Sequence, residues 1–299
     1  MLTKFESITL INLTTNQSLY LSEENNTYIL DGLPDWDYVT AKINYVGYVN
    51  LLGAQKTSIY LDTRPITING WVVANDVQDM KNKKKFLNSF VNPFNDMRCE
   101  YEGYYIDFTP DRSIKYSKEY DKNNEIMCNF EIEGTCGVPL FSEIETTTID
   151  QSSSYPVKVF PMEIDEAEGI VLGLCGEGYT RTIENTGDVE TWFKLVLSPT
   201  TDPIHNPKIL LKNTGQFMKV LTTVEVGESL IILTQLGYEQ ITLVKSDGTK
   251  QDLMTKLTRD SDIFLFPQGE NEIEISDDVG YLELVDFHIE FSPLYLEVQ

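Results

Sequence analysis

The two histidines of this sequence, His205 and His288, are its side chains best suited to acid–base chemistry near neutral pH. His205 precedes the turn signal Asn206-Pro207, and His288 lies inside a run of alternating polar and apolar residues. Neither lies near a serine or cysteine motif of the nucleophilic type, and the sequence has no GxSxG elbow. The sequence therefore predicts no catalytic residue, and we expect a protein that is not an enzyme.

A glycine-rich stretch at 173–178 (GLCGEG) is the segment closest in composition to a phosphate-binding loop. No GxxxxGK[ST] or GxGxxG pattern follows a predicted strand anywhere in the chain. Glu177 would repel a phosphate, and no helix is predicted after the stretch to offer a positively polarised N-terminus. The sequence predicts a loop at this position and no cofactor.

Carboxylates are the most abundant candidate ligands, with 47 Asp and Glu residues against 23 Lys and Arg. Two carboxylates on a β-sandwich can hydrolyse glycosides, but no motif singles out a pair among so many. Asp260, Asp262, Asp277 and Asp278 offer oxygen atoms to calcium without the spacing of a calcium-binding loop. A solvated turn is the preferred interpretation, so no metal site is predicted there.

The four cysteines, Cys99, Cys128, Cys136 and Cys175, occur singly inside apolar segments or beside glycine. No CxxC pair is present, so the sequence gives no support for a zinc site. Buried free thiols in a reducing cytoplasm are the preferred interpretation, and disulfides are the alternative.

The net charge of −24 and the pI of about 4.3 restrict the classes of partner. Such a chain repels phosphate backbones, so sequence-specific binding of nucleic acid is not expected. High solubility explains the charge, and a surface past which DNA slides without sticking is the sharper alternative. The basic run Lys81–Lys85 predicts the solvated face of a helix, or else a contact with an acidic partner.

No apolar run approaches the roughly 20 residues that a membrane helix needs, so no membrane association is predicted. Met1–Lys4 is followed by a mixed polar segment, and no export signal is expected.

The segment from Arg64 to Phe108 predicts a strand, a helix and a hairpin, around which the rest of the chain is organised. Ile66 and Ile68 alternate with polar residues, and Gly70 is expected to close this strand. A helix at about 76–91 follows, capped by Asn75 or Asp76 and stopped by Pro93. Its predicted buried face consists of Val77, Met80, Leu87 and Val91, with Phe86 and Phe90 beside it and Lys84 reaching out to water.

Glu102-Gly103 predicts a tight hairpin turn that pairs Tyr101 with Tyr104. Residues 1–62 are predicted to be strands, with Val39–Leu61 as a long hairpin or projecting arm. The cleanest alternation, Ile126–Ile132, predicts a half-buried strand that is broken from Gly134 onward.

The polar tract Glu143–Ser154 is the best linker candidate, which predicts domains at 1–141 and 142–299. The second half predicts an antiparallel sandwich or barrel, because its strands are short and no helix separates them. Its strands are predicted at 170–172, 193–197, 208–211, 217–224, 229–233, 240–244, 263–266, 272–275 and 282–291.

A series of short motifs along the whole chain resembles the distal tail proteins of siphophages and prophages of Gram-positive bacteria. The order and spacing of the motifs carry the resemblance, since each motif alone is weak. They are RPITING at 64–70, VNP at 91–93, CGVPLF at 136–141, IENTGD at 183–188, NPKI at 206–209, NTGQ at 213–216, VGESL at 226–230 and FPQGEN at 266–271.

The resemblance implies a mainly β protein, with a β-rich amino-terminal domain that carries one helix, followed by a galectin-like antiparallel β-sandwich. It implies a homo-hexameric ring at the virion tail tip, assembled in the bacterial host cytoplasm. The implied partners are the tail tube protein, the tail-tip hub or tail-associated protein, and receptor-binding or other baseplate proteins. Family members carry no catalytic site, and the resemblance implies no cofactor.

A carbohydrate-binding β-sandwich that recognises cell surfaces is the alternative function. Sugar sites present an exposed aromatic side chain, and Trp192 is the only tryptophan in the second half of the sequence. Trp192 lies at the start of the apolar strand 192–197, where a place in the core is the preferred interpretation.

Overall fold

A computed structural model describes the greater part of this chain. The described residues are 6–36, 38–47, 52–119, 123–151, 155–156, 173–174, 180–278 and 285–298. Internal contacts divide the chain into two units. The first contains Met1–Ile144 together with Tyr295–Gln299, and the second contains Glu145–Leu294. The domain boundaries expected from the sequence assigned the final residues to the second domain, whereas Tyr295–Gln299 group with the first unit.

The first unit is a β structure with one described helix, α1 (Val77–Phe90). Its strands are β1 (Ser7–Asn12), β2 (Gln17–Ser22), β3 (Tyr28–Leu30), β4 (Asp35–Trp36), β5 (Ala41–Gly47), β6 (Ala54–Leu61), β7 (Arg64–Val73), β8 (Met97–Tyr101), β9 (Tyr104–Pro110), β10 (Lys115–Tyr116), β11 (Met127–Cys136) and β12 (Phe141–Glu143).

Most of these strands form one sheet that closes on itself. The strand order is β11-β7-β3-β2-β1-β8-β9, and an additional pairing of β9 with β11 completes the circuit. The longest ladder joins β7 and β11 in antiparallel register, from Arg64–Cys136 to Val73–Met127. Closure leaves no free edge within the circuit, so its inward side chains form one continuous core.

The hairpin of β8 and β9 follows the predicted register, with Tyr101 opposite Tyr104. Glu102 and Gly103 both have positive φ angles, 48° and 90°, as a tight two-residue turn requires. Met97, Cys99, Ile106 and Phe108 are buried on one face of the hairpin.

Gly70 does not end its strand, because β7 continues to Val73. A Cβ atom at Gly70 would lie 2.5 Å from Cζ of Phe130 and 2.7 Å from the carbonyl oxygen of Ile29. The glycine therefore makes room for a buried phenyl ring on the neighbouring strand. β11 likewise runs past the predicted break at Gly134, where a Cβ would meet Cδ2 of Phe108 at 2.5 Å.

α1 begins after Asp76, whose carboxylate accepts a hydrogen bond from the backbone N–H of Asp79 at 2.8 Å. The Asp79 carboxylate accepts in return from the backbone N–H of Asn75 at 2.9 Å, which makes a reciprocal cap. Met80, Leu87 and Val91 are buried as predicted, with Val91 just after the helix, and Phe90 beside them is buried as well. The prediction for Val77 was wrong, because this first-turn residue is 44% exposed.

Asp76→Ala is expected to lower the free energy of unfolding by about 1 kcal/mol, because it leaves the backbone N–H of Asp79 without its acceptor. Chemical denaturation of the full chain measures this. Ser89→Ala, at an exposed position of the same helix, is the matched control and should be nearly neutral. An equal effect of the two substitutions would contradict the assigned cap.

The second unit contains two larger antiparallel sheets, with strand orders β13-β26-β17-β22-β23-β24 and β16-β25-β19-β20, and two two-stranded sheets, β14-β15 and β18-β21. Its strands are β13 (Thr147–Gln151), β14 (Tyr155–Pro156), β15 (Gly173–Leu174), β16 (Thr180–Asn185), β17 (Phe193–Pro199), β18 (Ile204–His205), β19 (Lys208–Leu211), β20 (Phe217–Lys219), β21 (Thr223–Val224), β22 (Ser229–Leu233), β23 (Gln240–Val244), β24 (Lys250–Asp252), β25 (Gly269–Ser276) and β26 (Val285–Phe291). A short 3-10 helix occupies Met254–Lys256.

The inward residues of both sheets form a second core. Phe193, Phe266 and Phe291 lie at its centre, with the rings of Phe193 and Phe266 stacked at 4.2 Å between centroids. Two sheets over one core confirm the predicted mainly β fold with a sandwich in the second half.

Two local predictions for this half were wrong. Residues 263–266 do not form a strand, because only Phe266 makes an isolated bridge, to Thr191. The tract 143–154 is not a continuous linker, because Thr147–Gln151 pairs with Phe291–Phe287 as an edge strand. Its β-branched threonine and isoleucine side chains suit a pleated surface in spite of their polar neighbours. The predicted strand 170–172 lies outside the described residues.

Candidate functional site

The hairpin of β5 and β6, here called the arm, presents several apolar side chains of the first unit to solvent. Its two strands form a separate two-stranded sheet, with Ile43 opposite Ile59 and Lys42 opposite Tyr60. All described residues of both strands are exposed except the last, Leu61. The exposed apolar side chains are Ile43 (40%), Tyr45 (59%), Val46 (46%), Ile59 (51%) and Tyr60 (52%). This confirms the predicted hairpin.

Polar contacts hold the base and the middle of the arm. Lys42 Nζ lies 2.6 Å from a carboxylate oxygen of Asp62, and the pKa of Asp62 is lowered by this partner. Asn44 Nδ2 donates to the hydroxyl of Ser58 at 2.9 Å, beside a register shift between Asn44 and Tyr45. These contacts tie the two strands of the arm together and leave its apolar side chains exposed to solvent.

Two lysines of the basic run on α1 have partners in the first unit, and two others are exposed. Lys83 Nζ lies 2.9 Å from Asp79 and donates to the carbonyl oxygen of Val73. Lys84 was expected to reach out to water, but its Nζ donates to Asn123 and lies 4.9 Å from the centroid of the Tyr116 ring. Lys81 and Lys85 are exposed, in keeping with a solvated helix face.

The two histidines lie on different strands of the second unit and have different partners. His205 Nδ1 is 3.1 Å from the hydroxyl of Thr223. His288 lies between Asp150, which contacts Nδ1, and Glu290, whose Oε1 is 2.8 Å from Nε2. Glu290 also contacts Lys194 Nζ at 2.7 Å. His288 thus joins the edge strand β13 to β26 in a network of alternating charges.

Hydrogen bonds to Asp150 and then to Glu290 raise the pKa of His288 above its ordinary value. The protonated ring therefore stabilises β13 fully below the unfolded pKa, and this contribution is lost as the pH rises through the folded pKa. We expect amide exchange in Thr147–Gln151, corrected for its intrinsic pH dependence, to be faster at about pH 8 than at about pH 6. His288→Asn should abolish the difference, and an unchanged difference in that variant would contradict the assignment.

The acidic residues considered as calcium ligands have different surroundings in the structure. Asp278 accepts from Lys219 Nζ at 2.5 Å and from Asn206 Nδ2 at 2.6 Å, and Lys219 lowers its pKa. Asp260 and Asp262 are exposed. Among the residues that the structure describes, no group of three or more His, Cys, Asp or Glu side chains could hold a metal ion.

Three cysteines, Cys99, Cys128 and Cys136, are buried free thiols, as preferred from the sequence. Burial raises the pKa of Cys136 to about 12 and raises that of Cys99 further, so neither forms a reactive thiolate near neutral pH. Cys175 and the rest of 175–178 lie outside the described residues, whereas Gly173–Leu174 forms β15.

Trp192 does not belong to the core of the second unit, contrary to the preferred interpretation. It is half-buried, and the neighbouring Phe193 takes the core position. Successive residues of a strand point to opposite faces, so only one of the two can be inside. In the described part of the chain, no helix is long and apolar enough to cross a membrane.

Two family models match this chain. The phage tail protein RIFT-related domain matches residues 16–133, and the C-terminal domain of the siphovirus-type tail component (SPP1 Dit) matches residues 186–295. Together they span about three quarters of the sequence, in the same order as the two observed units. This chain belongs to the siphophage distal tail protein family. The resemblance found in the sequence motifs is thereby confirmed.

Solved structures of distal tail and baseplate proteins share the fold of this family member. The Dit protein (gp 19.1) of phage SPP1, described as a paradigm of hub adsorption apparatus in phages that infect Gram-positive bacteria, matches with a TM-score of 0.65 and 12% identity. A chain of the phage P2 baseplate in its activated conformation with Ca matches with a TM-score of 0.50 and 13% identity. Each match covers 96% of this chain and 98% of the other. No curated protein sequence matches.

Sequence reasoning missed one buried charge in this distal tail family member. Arg64 begins β7, and its side chain has no exposed surface. The alternation of β7 carried the signal, because Arg64 is in phase with the buried Ile66 and Ile68.

Proposed function

We propose that this distal tail family member is a non-enzymatic structural protein that forms a homo-hexameric ring at the phage tail tip. The ring would lie between the tail tube protein and the tail-tip hub or tail-associated protein, after assembly in the host cytoplasm. Receptor-binding or other baseplate proteins are the further partners proposed. The exposed arm is the observation that carries this proposal, and membership of a tail-component family supports it.

The arm needs a partner for a physical reason. A two-stranded hairpin alone is marginally stable in water, and this arm presents Ile43, Tyr45 and Ile59 to solvent. An apolar strand edge that stays open is a site of unwanted pairing. A closed ring of identical subunits covers each arm with the neighbouring copy, because the same contact repeats until the rotation closes.

We propose that the first unit makes the ring and that the second unit supports the adsorption devices of the virion. The proposal includes the expectation from the sequence that the chain forms two separate domains, at 1–141 and 142–299. A cell-surface carbohydrate site on the second unit is the rival, and binding of the full chain to immobilised cell-wall polysaccharide would favour it.

The mass of the assembled protein tests the ring. Each copy carries a net charge of −24, so the subunits repel one another over a distance that salt controls, about 8 Å at physiological ionic strength. Native mass spectrometry and light scattering should detect assemblies of six copies, as the proposed ring requires. Because salt screens the repulsion between subunits, the assembled fraction should increase as the salt concentration rises. A monomer at every salt and protein concentration would contradict self-assembly of the isolated chain.

The acidic charge supports a second part of the proposal, a lumen that DNA crosses without adhering. Affinity for DNA depends on cations that neutralise phosphates, and this chain has an excess of carboxylates. Fluorescence anisotropy with duplex DNA should show no binding at physiological salt. Tight binding under those conditions would contradict the proposed passage.

A further inference from the structure

The segment Tyr295–Val298, here called the return segment, packs against the core of the first unit. Strand β27 (Leu294–Tyr295) pairs with β12 at the end of the large sheet. The hydroxyl of Tyr295 donates to Oε1 of Glu143 at 2.6 Å, and its ring meets that of Tyr104 edge-on at 5.4 Å. The first unit is therefore built from two stretches of sequence that lie about 150 residues apart.

Arg64 binds the return segment through two contacts of its guanidinium group. Its NH2 group donates to the carbonyl oxygen of Leu296 at 2.6 Å and to Oε1 of Glu297 at 3.0 Å. The guanidinium lies 5.1 Å from the centroid of the Phe141 ring, on the strand that pairs with β27. Burial lowers the pKa of Arg64, and the Glu297 carboxylate opposes this effect.

These contacts use only the NH2 donors of the Arg64 guanidinium. Nε and NH1 of Arg64 are buried and have no hydrogen-bond partner among the described residues. A buried cation is costly unless most of its donors are paired, so the site can accept more acceptor atoms than the return segment supplies. Glu297 is also 41% exposed, which leaves its carboxylate open to competition from water.

We propose that Arg64, Phe141 and the edge of β12 form a binding site for an extended, acidic chain segment. The segment recognised carries a tyrosine and, two residues later, a carboxylate. In this structure the return segment occupies the site as a releasable strap. This inference concerns the first unit of a single copy, and it does not depend on the proposed ring.

The chemistry of the site matches this class of ligand. An open strand edge pairs with the main chain of an extended peptide, and side-chain positions then select its sequence. Glu143 accepts the tyrosine hydroxyl, and the buried guanidinium attracts the carboxylate, which gives the two selective contacts. The unmet donors of Arg64 explain why the strap can be exchanged for a segment that supplies more acceptors.

Hydrogen–deuterium exchange of the full chain tests the strap. In the wild type, the amides of β12 and of the return segment should be protected. Arg64→Met should release the strap and raise exchange in both segments by about tenfold or more, since it removes charge-assisted hydrogen bonds. Arg112→Met is the matched control, because Arg112 is an exposed arginine of the same unit that contacts Glu131 and Glu133. It should leave the exchange of both segments unchanged.

A second variant keeps Arg64 and so avoids the risk that its loss unfolds the unit. Tyr295→Phe combined with Glu297→Gln removes the two selective contacts from the strap. We expect this variant to bind a synthetic peptide of the native sequence 294–298 (LYLEV) in trans, with saturable protection of β12, and to ignore the peptide LFLQV. A folded variant that binds neither peptide would overturn the site. If amide exchange in β12 and in the return segment is unchanged in both the Arg64→Met variant and the double variant, the assignment of the return segment as a releasable strap is wrong.

Discussion

Phe130→Ala is expected to lower the free energy of unfolding of the first unit by about 3–5 kcal/mol, the range for removing a buried phenyl ring. Phe130 is fully buried, and it lies on β11 directly opposite Gly70 on β7. Its ring fills the space that a side chain at Gly70 would occupy. The loss therefore opens a cavity in the longest ladder of the closed sheet, where the backbone cannot easily collapse.

Gly70→Ala should destabilise the unit by a separate route, because its methyl group would overlap the Phe130 ring. The two substitutions are expected to be non-additive. In the Phe130→Ala background, the alanine at Gly70 loses one clash but keeps the other, at 2.7 Å from the Ile29 carbonyl oxygen. A double-mutant cycle by chemical denaturation should thus show partial rescue.

Met127→Ala provides the control for this cycle, since Met127 lies on the same strand and is 37% exposed. Its effect should be small, and strict additivity of the Phe130 and Gly70 substitutions would show that the ring does not fill that space. Leu87→Ala and Ile132→Ala, at two other buried positions, should each cost about 2–5 kcal/mol.

Replacing the arm is expected to convert the proposed ring into a folded monomer. Ala41 and Leu61 are paired at the base of the arm, so a short Asn-Gly turn can connect them in place of 42–60. The arm forms its own sheet and lies outside the core of the first unit, so its removal should leave the melting temperature nearly unchanged. Native mass spectrometry and circular dichroism measure the two effects.

A point variant distinguishes the apolar face of the arm from its length. Ile43→Ser combined with Ile59→Ser removes one exposed cross-strand pair, and it should weaken assembly without unfolding the chain. Tyr238→Ser, an exposed aromatic of the second unit, is the control and should assemble normally. Hexamers that persist without the arm would place the subunit contact elsewhere on the molecule.

The elements predicted correctly were those whose cause is local in sequence. The helix cap at Asp76 and the turn at Glu102-Gly103 are decided by a few neighbouring residues and the backbone geometry they favour. The alternation of buried Cys128, Phe130 and Ile132 identified the core face of β11 in the same way. Such signals are complete within a short window of sequence.

The errors occurred where a distant residue decides the local structure. Gly70 was expected to end a strand, but its role depends on a ring that follows it by 60 residues. Ile126 was placed with the core by its alternation, yet it is 54% exposed because it precedes β11. The arm was visible from composition, whereas the assembly proposed to cover it is a property of several chains, whose geometry the sequence of one chain does not contain.

Closure of the large sheet through β9 and β11 has a consequence during synthesis. β7 has no β11 to pair with until about 60 further residues have left the ribosome, which takes several seconds at roughly 5–20 residues per second. During that interval the edge of β7 that later pairs with β11 stays open beside other copies on the same message, although β3 and β4 are already available to its other edge. The yield of soluble recombinant protein should therefore depend on translation rate and temperature. This dependence should be stronger than expected from the stability of the folded protein alone.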